Sequence, residues 1–545
     1  MVTAMADTEE ARLQTARQVA DYMDEKMAEM MFRGEEQRFL PKPFFDIVTS
    51  KRVVRRLISA DDELNLEERE AKAFTEQVLH DGLKMYATCI FSEMSLSLVK
   101  NLFAIGLTDK KFPLKEKDCP KQYQIRSFRN GFIMHQKLFN PAFISPNSEL
   151  NWDKCIAKPI NFTEDEESLL GSGTFGNVYE IELHSSQHSL TSGCNKDGTF
   201  AMKVTSLQGT REVSFHRAMT SIPPHNHLLR CLASFVFGSK YHMIYEKADS
   251  DVEKFMKSHP DPQRSSGMTA TDLAQQLFGL VSALAAIHNQ NSVSNEKNNN
   301  LLSVPPLHTE KAGYIHDIKP ENILVFAYKQ NERKRSWFRL SDFSCAKIND
   351  VQTSVSGNNR NSWKTKSKSG TPIYRAPESY GNGGTSRPYD LWSLGCVYLE
   401  FLVWFLEGYA SLDAFRTARE CEVSPGGRED EGFYFKPTES DDFRLRDVVL
   451  KKITSVRKLC RGPLVAIADT VPKLLQIDPR QRPTAEKLVK TLQGTIDSDE
   501  LPSSASRFAH GNASRKNIPA VSTYESGSEP NVNVGGPVLN IVAPS

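Results

Sequence analysis

The chain has 545 residues, enough for about two to four domains with a large apolar core. Its 68 Lys and Arg residues nearly balance its 67 Asp and Glu residues, so the overall charge offers no attraction to nucleic acid or to an anionic membrane. The acidic first residues lack the apolar stretch of a secretory signal, and the apolar segment near residue 400 is too short to span a bilayer. These features predict an intracellular, cytoplasmic protein, with a nuclear location as the less favoured alternative.

The nine cysteines are scattered along the chain, and no two of them form a C-x-x-C pair. An odd number and irregular spacing are typical of reduced thiols rather than of a disulfide framework or a zinc site. The cysteines therefore agree with an intracellular location.

The first part of the chain is helical in pattern. Apolar residues recur at spacings of three and four in the segments 11–31 and 67–107, and glycines are few. We predict an all-α N-terminal domain over residues 1–157, which either recruits a protein partner or packs as a brace on the rest of the chain. Within it, the basic segment 50–58 favours a charged helix face over a nuclear-import or nucleic-acid patch.

After a stretch rich in Pro, Asn and Ser, the pattern changes twice. Short β-like runs dominate residues 169–247, with one helical stretch among them, and helical patterns dominate from about residue 249. A polar insertion covers residues 289–311. The tail 497–545 is rich in Ser, Asn, Pro and Gly, and we predict that it is disordered.

Three glycines open the β-like region: Gly171, Gly173 and Gly176, in "LLGSGTFGNVYEI". Glycines between two strands let backbone N–H groups approach a phosphate closely. A glycine-rich hairpin alone is more often a plain turn. Because the motif leads into a strand rather than a helix, it also differs from a dinucleotide-binding fingerprint.

A lysine and a glutamate come next, on separate elements. Lys203 lies in the apolar strand "FAMKV", where a charge is costly unless it is paired, and Glu212 begins the one helical stretch of this region. The two could form an ion pair that directs the ammonium at phosphate oxygens. The alternative is two unrelated surface charges.

A third group of polar residues lies in "HDIKPENIL" and "RLSDFSCAKI". Asn322 and Asp342 provide oxygen ligands of the kind that Mg²⁺ prefers beside phosphates. Asp317 is then free to accept a hydroxyl proton. Glycine loop, Lys, Glu, Asp-x-Lys-x-x-Asn and Asp-Phe occur in the order used for phosphoryl transfer in protein kinases.

With these motifs, residues 164–494 resemble the eukaryotic protein kinase family. The resemblance continues through "GTPIYRAPE", "YDLWSLGC" and "DPRQRPTAEKL". The long helical preface and the insertions look like those of kinase-domain proteins of filamentous fungi. The resemblance implies an α+β, two-lobed kinase fold, with a β-rich N-lobe over about 164–248 and a helical C-lobe over about 249–494.

The resemblance also implies roles. Lys203, paired with Glu212, would hold the α- and β-phosphates of ATP, while Asn322 and Asp342 would hold Mg²⁺. Asp317 would be the catalytic base. The residues that would surround ATP are Gly171, Gly173, Gly176, Val178, Ala201, Lys203, Glu246 and Ala248, the last two through their backbones at the hinge.

Further residues refine this picture by resemblance. Lys319 would neutralise the transferring γ-phosphate, and together with Thr371 it resembles the Ser/Thr branch rather than the tyrosine branch. Tyr245 would be a bulky gatekeeper. In that family the glutamate matching Glu378 pairs with an arginine, here Arg482. The aspartate matching Asp390 braces the catalytic loop.

Two residues depart from the family pattern. His316 replaces the arginine that usually binds a phosphate on the activation loop, which puts activation by loop phosphorylation in doubt. Ser344 replaces the glycine after Asp-Phe, which restricts the backbone there. The Ser- and Lys-rich loop at 354–370 is either a regulatory phosphorylation site or a solvated loop.

The sequence thus predicts an Mg·ATP-dependent kinase that phosphorylates Ser or Thr hydroxyls of a protein substrate, with no nucleic-acid or membrane partner. The alternative is a pseudokinase that binds nucleotide and acts as a scaffold through its N-terminal region. The intact Lys203, Asp317, Asn322 and Asp342 favour the enzyme.

Overall fold

The computed structural model describes residues 8–123, 125–152, 156–173, 175–190, 198–206, 210–288, 310–330, 333–351, 371–380, 386–422, 432–435 and 442–496. These residues all belong to one compact unit, residues 1–496. The predicted disordered tail and the Ser- and Lys-rich loop at 354–370 lie outside the described residues, as does most of the polar insertion.

The N-terminal region is mostly helical, as predicted. Its helices are α1 (Ala16–Glu25), α2 (Lys42–Val48), α3 (Lys51–Ser59), α4 (Glu68–Asp81), α5 (Leu83–Phe91), α6 (Ser97–Ala104) and the single turn α7 (Arg126–Phe128). At the start of α1, Thr15 and Gln18 form a capping box, in which each side chain accepts a hydrogen bond from the other residue's backbone N–H. The apolar faces of these helices enclose one core that runs from Leu13 to Phe139.

The basic segment predicted as a charged helix face forms α3. Its apolar residues, Val54 among them, are buried, and its charges meet glutamates of α4. Lys51 lies 2.5 Å from Glu76, and Arg55 lies 3.7 Å from Glu68. These contacts fit a charged face packed beside an acidic helix.

One β-hairpin interrupts the helices and was not predicted. Strands β1 (Ala28–Phe32) and β2 (Glu35–Phe39) pair antiparallel across Arg33 and Gly34, whose φ values of 53° and 79° suit a tight hairpin turn. The sequence here is rich in Glu, Met, Gln and Arg, which favour helices when packing does not decide. Tertiary contacts of the hairpin outweigh that preference.

The tip of this hairpin is part of the core of the β-rich lobe. Phe32 is 1% exposed and packs among Trp152, Phe162 and Phe237, with ring centroids 5.2 to 6.2 Å apart. Backbone hydrogen bonds join the segments in both directions, from Arg33 N to Phe162 O and from Phe162 N to Met31 O. The N-terminal region therefore shares a core with the β-rich lobe.

The β-rich lobe is built on one seven-stranded sheet. Its strands are β3 (Glu149–Asn151), β4 (Ile160–Asn161), β5 (Leu169–Gly173), β6 (Gly176–Leu183), β7 (Thr199–Ser206), β8 (Ala233–Phe237) and β9 (Lys240–Glu246). The order across the sheet is β3-β8-β9-β7-β6-β4, and β5 pairs with β6. All pairings are antiparallel except that of β3 with β8. The predicted helix of this lobe is α8 (Thr210–Met219).

The second lobe is mostly helical, with short strands near its junction with the first. Its helices are α9 (Val252–Ser258), α10 (Pro262–Ser265), α11 (Ala270–His288), α12 (Arg387–Glu407), α13 (Tyr409–Cys421), α14 (Asp447–Leu459), α15 (Leu464–Leu474) and α16 (Ala485–Ile496). Its strands are β10 (Ser250–Asp251), β11 (Glu310–Tyr314), β12 (Ile323–Gln330), β13 (Arg333–Leu340), β14 (Lys347–Val351), β15 (Tyr434–Phe435) and β16 (Arg444–Leu445).

Two helices dominate the core of this lobe. The apolar segment near residue 400 was expected to be too short to span a bilayer, but it belongs to α12, which has 21 residues. α11 and α12 are both long and apolar enough to cross a membrane by length and composition, but 56% and 94% of their most apolar segments are buried inside the protein. Trp392 and Trp404 of α12 are fully buried. Their apolar sequences are those of core helices.

The packing of the hairpin tip yields the first prediction. Phe32→Ala should lower the free energy of unfolding by about 3–5 kcal/mol, because it empties a buried site among aromatic rings. Urea unfolding followed by tryptophan fluorescence measures this, since Trp152 lies in the same cluster. Phe143→Ala is the control, because Phe143 is 46% exposed. If Phe32→Ala lowers the free energy of unfolding as little as the control does, Phe32 is not part of the core of the β-rich lobe.

Candidate active site

Lys203 lies on β7, inside the sheet between β6 and β9. Its Nζ lies 2.8 Å from Glu212 Oε2 on α8 and 2.8 Å from Asp342 Oδ1 in the turn after β13. The Lys203 and Glu212 side chains are 9% and 5% exposed. Since a buried charge is costly unless paired, this ion triad ties three elements together around one ammonium group.

The triad also determines which charges the site carries. Burial acts to lower the pKa of Lys203, but the carboxylates of Glu212 and Asp342 raise it above its ordinary value. Burial acts to raise the pKa of Asp342, but the Lys203 ammonium and hydrogen bonds hold it below its usual range. Near neutral pH the site therefore holds an ammonium beside an ionised Asp342.

Helix α8 lies against the turn that carries Asp342. The ring of Phe215 on α8 stacks on Phe343 with centroids 4.8 Å apart. One residue further along α8, His216 Nε2 lies 2.7 Å from the hydroxyl of Tyr245 on β9. These contacts hold α8 in the orientation that directs Glu212 at Lys203.

The loop between β11 and β12 arranges a second polar group around Asp317. Its Oδ1 accepts hydrogen bonds from the backbone N–H of Thr371 at 2.8 Å and from the Thr371 hydroxyl at 2.9 Å. Its Oδ2 accepts one from Asn322 Nδ2 at 2.9 Å. Lys319 Nζ lies 2.8 Å from the same Thr371 hydroxyl and 3.5 Å from Asp317 Oδ2. The carboxylate is thus held in one orientation beside a cation.

Asp390 braces the backbone of the loop between β11 and β12, as the resemblance implied. It is fully buried at the start of α12 and accepts hydrogen bonds from the backbone N–H groups of Ile315 and His316, at 2.9 and 2.8 Å. His288, the last residue of α11, lies 3.0 Å from its Oδ2. One carboxylate therefore fixes the backbone just before Asp317.

His316 is enclosed by aromatic rings. Its side chain is buried and stacks between Tyr314 and Tyr389, with centroid distances of 4.4 and 4.9 Å. Its φ of 69° is unusual for a residue other than glycine. The imidazole therefore fills a slot in the core, where the family has a cation that faces the activation loop.

The predicted metal ligands lie at the ends of paired strands. β12 and β13 are antiparallel with Ile323 opposite Leu340, and Ser341 N donates to Asn322 O at 3.0 Å. These contacts place Asn322 and Asp342 on neighbouring segments. Asn322 uses its amide nitrogen on Asp317, which leaves its side-chain oxygen for a cation. An ionised carboxylate and an amide oxygen are a donor set that fits Mg²⁺.

Gly176 must be glycine at its position in the loop. It has a φ of 142°, and a Cβ there would lie 2.3 Å from Val204 O. Gly171 and Gly173 lie on β5, and Gly173 pairs with Gly176 across the turn. The three predicted glycines therefore form the hairpin β5–β6 above β7.

Apolar residues surround the space next to Lys203. Val178 lies directly opposite Lys203 in the sheet, and Ala201 lies opposite Tyr245. Ala201, Val178, Ala248 and Leu324 all belong to one apolar cluster that reaches from the sheet to β12. Such a cluster can enclose a flat ring from both sides.

The hinge is fixed by a charge pair. Arg339 on β13 forms an ion pair with Glu246 at the end of β9 and lies over the ring of Phe326, 4.1 Å from its centroid. The Glu246 side chain is therefore engaged with β13.

The segment after Thr371 is tied to the helical lobe by two ion-pair groups. Arg482 forms a bidentate pair with Glu378, at 2.7 and 2.8 Å, as the resemblance implied. The Tyr374 hydroxyl donates to buried Glu400 at 3.0 Å, and Glu400 also pairs with Arg416. This segment is thereby held near Asp317.

Sequence reasoning missed some members of the site. Leu324 and Arg339 were not predicted, and neither was the stacking of His316. Leu324 had a signal, because it lies two residues after Asn322 on a strand that leaves the site. Arg339 had none, since only the fold brings β13 beside the hinge.

The role of Asp390 yields the second prediction. Asp390→Ala should lower the free energy of unfolding by about 3–5 kcal/mol, because it leaves two buried backbone N–H groups without their acceptor. Thermal or urea unfolding measures this. Asp390→Asn, which keeps an acceptor oxygen, should lose less, and Asp469→Ala, at an aspartate that is 45% exposed, serves as the control. If Asp390→Ala and the control unfold with the same free energy, Asp390 does not hold the backbone before Asp317.

Comparison with known proteins agrees with this geometry. The family model for the protein kinase domain matches residues 165–492. A calcium and calcium/calmodulin-dependent serine/threonine-protein kinase of Lilium longiflorum is 26% identical over 305 residues, which cover 55% of this chain and 45% of that protein. Serine/threonine-protein kinase 33 of Mus musculus is 24% identical over 327 residues, covering 59% and 52%.

A meiosis induction protein kinase of Saccharomyces cerevisiae is 23% identical over 326 residues, which cover 56% of this chain and 46% of that protein. The chain thus spans about half the length of these three curated relatives. The family model matches well over half of the chain and includes every residue of the ion triad and of the loop around Asp317. The chain belongs to the protein kinase family.

Proposed function

We propose that this protein kinase transfers the γ-phosphate of Mg·ATP to Ser or Thr hydroxyls of a protein substrate. The proposal rests on two groups of polar residues, one around Lys203 and one around Asp317. Lys203 is paired with Glu212 and Asp342, and Asp317 is held beside Lys319. One group suits the phosphates of the donor, and the other suits the hydroxyl of the acceptor.

Lys203 binds the α- and β-phosphates through its ammonium. Since Glu212 and Asp342 hold that ammonium in place before a nucleotide arrives, no side-chain ordering is needed at the moment of binding. Asn322 and Asp342 would hold Mg²⁺, which supplies neutralisation of charge on the phosphate oxygens. The hairpin β5–β6 covers the phosphates with backbone N–H groups.

Asp317 accepts the proton of the substrate hydroxyl. Oδ2 receives one hydrogen bond from Asn322 and, as a carboxylate oxygen, keeps a lone pair for that proton. The hydroxyl oxygen bonds to the γ-phosphorus as the bond to the β–γ bridging oxygen breaks, and ADP leaves. Lys319 neutralises the charge of the transferred group.

The preference for Ser and Thr is supported by two observations. Lys319 and Thr371, the residues that resemble the Ser/Thr branch, are joined by a hydrogen bond of 2.8 Å. The printed names of the lily and mouse relatives also include serine/threonine-protein kinase.

Ser344, which stands where the family has glycine, leaves the Asp342 carboxylate in place. The left-handed backbone lies at Asp342, with a φ of 51°, rather than at Ser344. The backbone N–H of Ser344 lies 3.3 Å from Asp342 Oδ1. Serine is therefore tolerated where the family has glycine, and the Asp342 carboxylate keeps its contact with Lys203.

The third prediction tests the proposed base. Asp317→Asn should lower kcat by about 10²–10⁴-fold, because the amide cannot accept the hydroxyl proton. Transfer of labelled γ-phosphate to a generic basic protein substrate measures this. Asp272→Asn is the matched control, since Asp272 is also a partly buried aspartate in an ion pair. If Asp317→Asn is as active as wild type, Asp317 is not the catalytic base. If wild type itself transfers no phosphate, the protein is better explained as a scaffold.

The fourth prediction concerns His316. Because its imidazole is buried and stacked between Tyr314 and Tyr389, it is poorly placed to replace the arginine that binds a loop phosphate. Phosphatase treatment of the purified protein should therefore change kcat by less than about twofold. Phosphosite mapping before and after treatment checks that phosphate was removed. A loss of more than about tenfold in kcat would show that another group reads a loop phosphate.

A further inference from the structure

Strand β3 is a firmly attached edge of the sheet, although it precedes the predicted kinase region. Asn147 N donates to Leu232 O at 2.7 Å, Ser234 N to Ser148 O at 2.8 Å, and Trp152 N to Val236 O at 3.0 Å. These bonds pair residues 147–152, here called the β3 segment, with β8.

Aromatic packing anchors the end of the β3 segment. Trp152 is 4% exposed and stacks on Phe235 with centroids 3.8 Å apart. It also contacts Phe32 of the hairpin tip edge-on, with ring centroids 6.2 Å apart. The position of the β3 segment is therefore set by the sheet and by the N-terminal region together.

From this segment, Glu149 reaches helix α8. Its carboxylate accepts two parallel hydrogen bonds from Arg217, at 2.6 Å from Nε and 2.7 Å from Nη2. Bidentate geometry of this kind fixes orientation as well as distance. The β3 segment and α8 are thus joined by a two-point contact.

Arg217 lies on a different face of α8 from Glu212. Five residues separate them, which amounts to about 140° around a helix and about 7.5 Å along its axis. Glu212 points at Lys203, while Arg217 binds outside the nucleotide cleft. A helix held at two well-separated points cannot roll or swing about one of them without breaking the other contact.

Packing under α8 is incomplete, so these polar contacts matter more. A cavity of about 40 Å³ lies between α8, the β3 segment and strands β8 and β9. Val213, Arg217, Cys231 and Met243 are among the residues that line it. Atoms around such a gap lose part of their dispersion attraction. The contacts of Arg217 therefore add to those that Phe215 and His216 of α8 make with Phe343 and Tyr245.

We propose that Glu149 and Arg217 are positioning residues, through which the N-terminal region keeps α8 in the orientation that pairs Glu212 with Lys203. The N-terminal region would then act in cis on the site, as a built-in support for catalysis. This inference rests on the proposed function only for its effect on phosphate transfer. Its effect on α8 can be measured without any catalysis.

The test exchanges the two charges in the 545-residue chain. The variants are Glu149→Arg, Arg217→Glu and the double variant that carries both changes. Each single variant places like charges side by side, whereas the double variant restores an opposite pair. Arg457→Glu is the matched control, because Arg457 and Asp469 form a pair at 2.7 Å with 49% and 45% exposure, close to the 54% and 46% of Arg217 and Glu149.

The first readout is amide hydrogen exchange of residues 210–219. Each single variant should exchange roughly threefold faster in α8 than wild type, the size expected when an exposed ion pair is lost. The double variant should return toward the wild-type rate, and Arg457→Glu should leave α8 unchanged. Unchanged exchange in both single variants, or no recovery in the double variant, would overturn the inference.

The second readout is kcat for transfer of γ-phosphate, which should fall in the single variants and recover in the double variant. A structural role alone would lower the melting temperature without this pattern of loss and rescue. If exchange agrees with the prediction but kcat does not, the positioning role is overturned. If wild type transfers no phosphate, the proposed function fails, and hydrogen exchange alone decides whether Glu149 and Arg217 hold α8.

Discussion

The structure depends on one buried ammonium group shared by two carboxylates. Lys203 enters the interior only because Glu212 and Asp342 neutralise it, and these partners come from a helix and a turn outside β7. Pairing raises the pKa of the lysine and lowers that of Asp342, so the charges reinforce each other. A displacement of either element would leave a charge buried without its partner, which ties the shape of the site to its electrostatics.

Other contacts hold the segments that surround Lys203 and Asp317. Asp390 fixes the backbone before Asp317, and the Arg482–Glu378 pair fixes the segment after Thr371. Phe215 and Phe343 join α8 to the turn of Asp342 by stacking. The polar groups proposed to face phosphate and hydroxyl are thus few, while the contacts that hold them reach across both lobes.

The sequence singled out residues that the structure brings together around Lys203 and Asp317. Their roles toward phosphate, Mg²⁺ and the hydroxyl proton stay predictions. The sequence also predicted the two lobes and the α8 helix from periodicity. It missed the hairpin with Phe32, whose Glu, Met and Gln residues suit a helix, and whose partner Phe162 is distant along the chain. The stacking of His316 was equally hidden, because Tyr389 meets it only once α12 has packed. Local pattern cannot reveal contacts that the fold alone creates.

We propose that the paired Lys203 belongs to a working phosphotransferase that acts on Ser and Thr. The most direct measurement is phosphoamino-acid analysis of a peptide mixture containing Ser, Thr and Tyr, after incubation with Mg²⁺ and labelled ATP, for wild type and Lys203→Met. Wild type should place label on Ser or Thr, and Lys203→Met should lose most of that label. Label on Tyr, label that survives in Lys203→Met, or no label with wild type would contradict it.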